Sequence, residues 1–240
     1  GNPLAPMPAP AFLPKLKHIL QKNLAITCHS VAAPHIHDSS QLQASDWIAL
    51  VEQVIRLYQQ GFQRVVLIHG TDTLAYTAAF LAEVLAGCPL RLVVTGSQYP
   101  LLDAQGYTIN PQGDALDNLT LAIQQLDRPG YGCYVAFAGT CWPAQGVQKV
   151  HTTDLQAFAG LHGTASTAMA QANTNIDTDV LVLISRLHYL KQLNIATYYA
   201  LPQDWPQQAV QLQQLLHTPA LDALILLGFG TGNLAHTPEI

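Results

Sequence analysis

Short runs that are apolar throughout recur along this chain, and each is followed by a stretch whose apolar residues return at helical spacing. Val65 to Ile68, Leu92-Val93-Val94 and Tyr134-Val135-Ala136-Phe137 are such runs. Their β-branched and aromatic content reads as strands buried on both faces. Between them lie helical patterns. One is capped by Ser45, carries Trp47, Ile48, Val51, Val54, Ile55 and Tyr58, and stops at Gly61. A second places Leu74, Ala78, Leu81 and Leu85 on one face and ends at Gly87, and a third aligns Leu116, Leu119, Ile123 and Leu126. Further strands are expected near Ile26 and at Val180 to Ile184, Ile195 to Tyr198 and Ala223 to Leu227, with another helix around Gln207 to Leu216. Alternation of this kind leaves few solutions. The expected class is α/β, a mostly parallel sheet flanked by helices.

The periodicity lapses where Gly160, Gly163 and many small or polar residues take over. Residues 161–178 therefore read as a linker between an N-terminal α/β domain, 1–160, and a second region, 179–240. That region holds too few elements to close a typical domain, so a smaller, incomplete α/β domain is expected there. The Pro-rich start, Gly1 to Pro10, reads as an extended loop entering the fold, because proline fixes φ and restricts the residue before it.

Composition narrows the function classes. Of 240 residues, 49% are hydrophobic and 10% charged, against a usual charged share of roughly 25%. The apolar content excludes a disordered chain. No run approaches the roughly 18 uncharged apolar residues of a membrane span. With a net charge of −5 and no basic patch, nucleic acid is not an expected partner. Its 23 Gln, 18 Thr and 10 His keep the surface wet without charge, which makes subunit contact cheap. Cys28, Cys88, Cys133 and Cys141 form no CxxC pair and no zinc spacing. They read as reduced thiols of a cytoplasmic protein with no metal, and the N-terminus lacks the pattern of a signal peptide.

Ligands of open α/β sheets gather beyond the carboxyl ends of the strands. After Ile68 comes His69-Gly70-Thr71-Asp72-Thr73, opening a helix. Two hydroxyls, a carboxylate and free helix N–H groups meet there, which suits a carboxylate or a developing oxyanion. The same residues also read as a helix cap. After Val94 comes Thr95-Gly96-Ser97-Gln98, either a second pocket wall or a polar turn, and Asp38-Ser39-Ser40 is either a third or a solvated loop. Lys149 is expected in a loop beyond Phe137, at the same edge of the sheet. A hydroxyl is a weak nucleophile until a base takes its proton, and a partly desolvated lysine beside an aspartate can be that base. An exposed lysine is the plainer alternative.

His69-Gly70-Thr71-Asp72-Thr73 with Ala75-Tyr76-Thr77-Ala78 resembles the HGTDT and AYTA signature of the bacterial L-asparaginase family, and Val94-Thr95-Gly96-Ser97-Gln98 with Pro100 is similar to its VTGSQxP segment. Asp38-Ser39-Ser40 with Trp47 resembles the DSS…W segment of the cytoplasmic, type I branch. Lys149 with Thr153, Asp154, Ala157 and Phe158 resembles the lysine segment, and Gly228-Phe229-Gly230-Thr231-Gly232-Asn233-Leu234 resembles the GxGxGN loop of the second domain. The segments stand in the family's order over nearly the whole chain.

The resemblance implies hydrolysis of the side-chain amide of L-asparagine, or of L-glutamine, to the acid and ammonia, without metal or cofactor. Thr71, Asp72 and Lys149 would form a Thr-Asp-Lys triad, with Asp72 also meeting the substrate's α-amino group. Ser39 would hold the α-carboxylate with Asp38 and Ser40 nearby, and Gly70 and Ser97 would shape the pocket. Asn233 would reach a neighbouring subunit's site in a homodimer or homotetramer. Two departures stand out. No TGGTI loop, which in the family carries the first attacking threonine, occurs in residues 1–240, and the family continues past the GxGxGN loop; the chain is expected to be a fragment or a truncated relative. Asp103 to Pro111 looks like an insertion, and Pro111-Gln112-Gly113 stands where the family usually has an aspartate before the glycine. A catalytically silent amino-acid-binding or regulatory relative is the alternative. A dinucleotide site is disfavoured, because no GxGxxG follows a strand.

Overall fold

The computed structural model describes residues 7–160 and 180–230, so the expected linker at 161–178 lies outside the described residues. The chain divides into two compact units, Gly1–Ser185 and Arg186–Ile240.

In the first unit the elements run α1 (Ala9–Leu24), α2 (Ala44–Gln59), β1 (Arg64–Ile68), α3 (Leu74–Val84), β2 (Arg91–Thr95), α4 (Ala115–Leu126), β3 (Gly132–Phe137), β4 (Thr140–Pro143), β5 (Val147–Lys149) and β6 (Phe158–Gly160). The principal sheet has the order β1-β2-β3-β4, with β1, β2 and β3 parallel and β4 turning back antiparallel. Leu92, Val93, Val94, Val135, Ala136 and Phe137 are buried, as a sheet covered on both faces requires. Val93, Ala122, Tyr134 and Ala136 form one core cluster under α4. β1 is the outer strand, and no described strand pairs with its other side. Arg91 is buried at the start of β2. It is satisfied by the Gln125, Pro129 and Gly130 carbonyls at 2.5, 3.2 and 3.0 Å and by the Tyr134 ring 4.4 Å away. A buried cation on the carbonyl end of a helix is favourably placed.

Several expectations fail in this unit. The Pro-rich start is not extended throughout: α1 begins at Ala9, with Pro10 in its first turn, where a missing N–H costs nothing. Leu16 and Leu20 of α1 pack against Leu119 with Phe12, Val66 and Ile123. There is no strand near Ile26. Ala25 adopts a left-handed conformation (φ 54°) that ends α1, and Ile26 N–H caps the helix on Leu20 O at 3.3 Å. Ser45 is not the cap of α2. That helix starts one residue earlier, and the Asp46 carboxylate accepts the Gln43 N–H at 2.9 Å.

Val180 to Ile184 is not a strand either. It opens α5 (Val180–Leu190), with Leu183 and Leu187 buried one turn apart. An apolar run this short carries no period of its own, and the residues beyond it settle the choice. In the second unit, β7 (Ile195–Tyr199) and β8 (Ala223–Leu227) pair in parallel across α6 (Trp205–Leu216). Tyr198, Ala200 and Leu212 form its core with Leu215, Leu224 and Phe229.

Candidate active site

Three loops converge beyond the carboxyl ends of β1 and β2. The His69 N–H donates to Thr95 O at 2.8 Å, which carries the sheet ladder one residue past β1. Gly96 follows Thr95, and a Cβ there would collide with the His69 carbonyl oxygen, so only glycine lets the two turns lie this close. A Cβ on Gly70 would stand 2.5 Å from Ser39 Oγ. Thr73 Oγ1 donates to Ser39 O at 2.8 Å and fixes that third loop, with Ser39 itself buried. No side-chain hydrogen bond caps α3. Of the two readings of HGTDT, the capping one therefore fails, and Thr71 and Asp72 are left for another partner.

That partner is Lys149. Its Nζ donates to Thr71 Oγ1 at 2.8 Å and to Asp72 Oδ1 at 2.7 Å, across 78 and 77 residues of sequence. The lysine side chain is 16% exposed and that of Asp72 58%, so the cation is sheltered while the carboxylate faces water and can meet a second charge. Lys149 was expected in a loop; it ends β5, paired with Phe158 of β6. A strand end holds its backbone more firmly than a loop. The residues beyond it are tied down too, since Gln98 Nε2 donates to Thr152 O and Asp154 O at 3.3 and 2.9 Å. Gln98 thus couples the TGSQ turn to the lysine segment.

An aspartate, Asp114, directly follows Pro111-Gln112-Gly113. Asp114 accepts the Gln98 and Tyr99 N–H groups at 3.0 and 3.0 Å and Asn118 Nδ2 at 2.9 Å. Asp114 and Asn118 stand four apart, which brings them together at the start of α4. Buried Asn118 also donates to Gly96 O at 3.0 Å and accepts the Ala138 N–H at 2.8 Å, clasping the ends of β2 and β3. The sequence reading missed both residues. The four-residue spacing ahead of an apolar helix face was the available signal, and the apparent insertion, which folds as a loop closed by a Leu102–Ile109 bridge, obscured it.

The remaining candidates are placed as follows. Asp38 caps the short turn Ser39–Gln41, its Oδ1 accepting the Ser40 N–H at 2.9 Å, and that hydrogen bond holds its carboxyl below the usual range. Ser40 is exposed, and Ser97 is half-buried in the turn after Gly96. Asn233 lies outside the described residues. Among the described residues no group of three or more His, Cys, Asp or Glu side chains is arranged to hold a metal ion, and no helix is long and apolar enough to cross a membrane.

The asparaginase N-terminal domain family matches residues 13–181. The chain belongs to the asparaginase family. It is 33% identical over 125 residues to the L-asparaginase of Thermococcus kodakarensis, covering 52% of this chain and 36% of that protein. It is 34% identical over 167 residues to a probable L-asparaginase of Deinococcus radiodurans, covering 68% and 46%. The chain thus spans less than half the length of these relatives. A probable cytoplasmic L-asparaginase from Campylobacter jejuni shares the fold, with a TM-score of 0.71 at 20% identity over 93% of this chain and 68% of that one. The α/β class with a mainly parallel sheet is therefore the asparaginase fold, and the loops just described lie beyond the carboxyl ends of its strands, where ligands of open α/β sheets gather.

Proposed function

We propose that the chain belongs to a cytoplasmic amidohydrolase that converts L-asparagine to L-aspartate and ammonia, with Thr71, Asp72 and Lys149 as the proton-transferring group. The single observation that carries this reading is the short Lys149 contact to both Thr71 Oγ1 and Asp72 Oδ1. In its neutral form Lys149 accepts the proton that a hydroxyl or water gives up through Thr71 as it attacks the amide carbon. The carbon–nitrogen bond then breaks, and the nitrogen leaves with that proton as ammonia; where a threonine hydroxyl attacked, water then cleaves the ester it formed, releasing L-aspartate and restoring the hydroxyl. Asp72 orients the amine and offers its exposed oxygen to the substrate ammonium. Ser39, beside Gly70, donates its hydroxyl to the α-carboxylate, with Asp38 holding its turn and Ser40 and Ser97 on the pocket rim. The first attack belongs to a threonine of a TGGTI-like segment, and Asn233 completes a site in a partner subunit.

The test is ammonia release from L-asparagine by the complete polypeptide, set beside calorimetry with L-aspartate. Lys149→Met is expected to lower turnover by about 10³-fold or more while aspartate affinity stays within a few-fold. Normal turnover in that variant removes the lysine from the chemistry. Aspartate binding with no ammonia release from the unaltered polypeptide identifies the silent amino-acid-binding relative instead.

A further inference from the structure

Three residues of the motif segments have no part in the chemistry above, yet they touch one another. Trp47 in α2 donates its indole Nε1–H to Thr77 Oγ1 at 2.9 Å. Thr77, fully buried in α3, lies 3.0 Å from His69 Nε2. His69 Nδ1 lies 2.7 Å from the Gly70 carbonyl oxygen.

The donors and acceptors at the two ends fix every proton between them. An indole N–H can only donate, and a carbonyl oxygen can only accept. Nδ1 must therefore carry the imidazole proton, because the other neutral tautomer would set a lone pair against the Gly70 oxygen. Nε2 is then an acceptor. Thr77, receiving from Trp47, directs its single proton to it. The result is a one-way chain from Trp47 through Thr77 and His69 to Gly70 O, with no alternative neutral arrangement. Burial favours the neutral ring by lowering the His69 pKa.

The end of that chain is the peptide between Gly70 and Thr71. A trans peptide is planar, so holding the carbonyl on one side fixes the Thr71 N–H on the other. Ser39 Oγ packs against the same glycine where a Cβ would stand. We propose that His69, held in a single tautomer by Thr77 and Trp47, is a positioning residue that locks the Gly70–Thr71 peptide plane and so aims Thr71 at Lys149. The catalytic consequence rests on the amidohydrolase reading; the locked peptide does not.

The experiment uses the isotopically labelled full chain. In the unaltered protein the imidazole nitrogen spectrum is expected to show Nδ1 protonated and Nε2 unprotonated. Thr77→Val, which keeps the shape and removes the hydroxyl, is expected to move the Thr71 amide resonance by several linewidths while Val93 and Val94 in the sheet stay in place. Thr77→Ser returns it. In ammonia-release assays on the polypeptide that carries the TGGTI-like segment, Thr77→Val lowers kcat at least tenfold with KM within twofold, and Thr77→Ser restores it. An Nε2-protonated ring, or a Thr71 amide unmoved in Thr77→Val, overturns the proposal. A polypeptide that carries the TGGTI-like segment and releases no ammonia counts against the amidohydrolase reading, and the two spectra still decide the positioning role.

Discussion

Asp72 has one oxygen on the Lys149 ammonium and most of its side chain in water. A carboxylate so placed can bind a substrate ammonium without giving up its internal partner. Asp72→Asn is expected to weaken L-aspartate binding at least tenfold, about 1.4 kcal/mol, in titration calorimetry. His69 gives the second expectation at this scale. Burial opposes its imidazolium and outweighs the Gly70 carbonyl, which favours it, so the folded chain takes up the proton less readily than the unfolded chain. Where the unfolded state binds more protons, stability rises with pH. The stability tied to His69 is thus full above the ordinary imidazole value of about 6.5 and declines as pH falls below it. Urea midpoints measured at about pH 7.5 and 5.5 should differ less in His69→Gln than in the unaltered protein. An equal difference in both places the acid sensitivity elsewhere. Asp38 and Asp103, whose carboxyls are also held low by hydrogen bonds, lose their contribution only in the more acidic carboxylate range.

Among the elements, α4 matters most to the site although it contributes nothing to the triad. Its Asn118 clasps Gly96 and Ala138 and buttresses Asp114, which in turn holds the TGSQ turn. Asn118→Leu would leave the half-buried Ala138 N–H and the buried Gly96 carbonyl without this partner, at about 1–3 kcal/mol each. A loss of about 2–5 kcal/mol in urea denaturation is expected; a loss below about 1 kcal/mol shows that the strand ends hold without the clasp. Elements were legible in the sequence where an apolar run or a helical spacing stood out, even where burial did not follow, as in β8. β1, β2, β3, β7 and β8 fall on uniformly apolar runs, and α2, α3, α4 and α6 on helical spacing. The failures have a common physical origin. At Val180 to Ile184 and at Ile26 a few β-branched residues were too short a window to show a period, and at α1 the prolines masked a helix whose first turn tolerates them. Thr71, Asp72 and Lys149 were legible as motif residues, but nothing local announces a contact across 78 positions. Gln98, Asp114 and Asn118 act through backbone groups of distant turns. Sequence spacing records such contacts only once the fold is known.

For the whole molecule, scarce charge and a site expected to be completed by Asn233 of another subunit both favour assembly. Sedimentation at micromolar concentration is expected to show no dominant monomer, and a single active monomer removes the role of Asn233 in trans. The outer side of β1 bears on how any such assembly should be read. Along Arg64–Ile68 the strand offers a row of backbone donors and acceptors that no described strand takes up, with Ile68 46% exposed at one end and Arg64, paired to Asp127 at 2.9 Å, at the other. Such a row can template a strand of any neighbouring chain, and charge at its margin is the usual deterrent. Here that deterrent is one arginine. Strand-to-strand growth of this kind has no symmetry to close it. A preparation in which nothing covers that side of β1 is expected to aggregate without end as it is concentrated, and a charge placed along the margin is the first remedy.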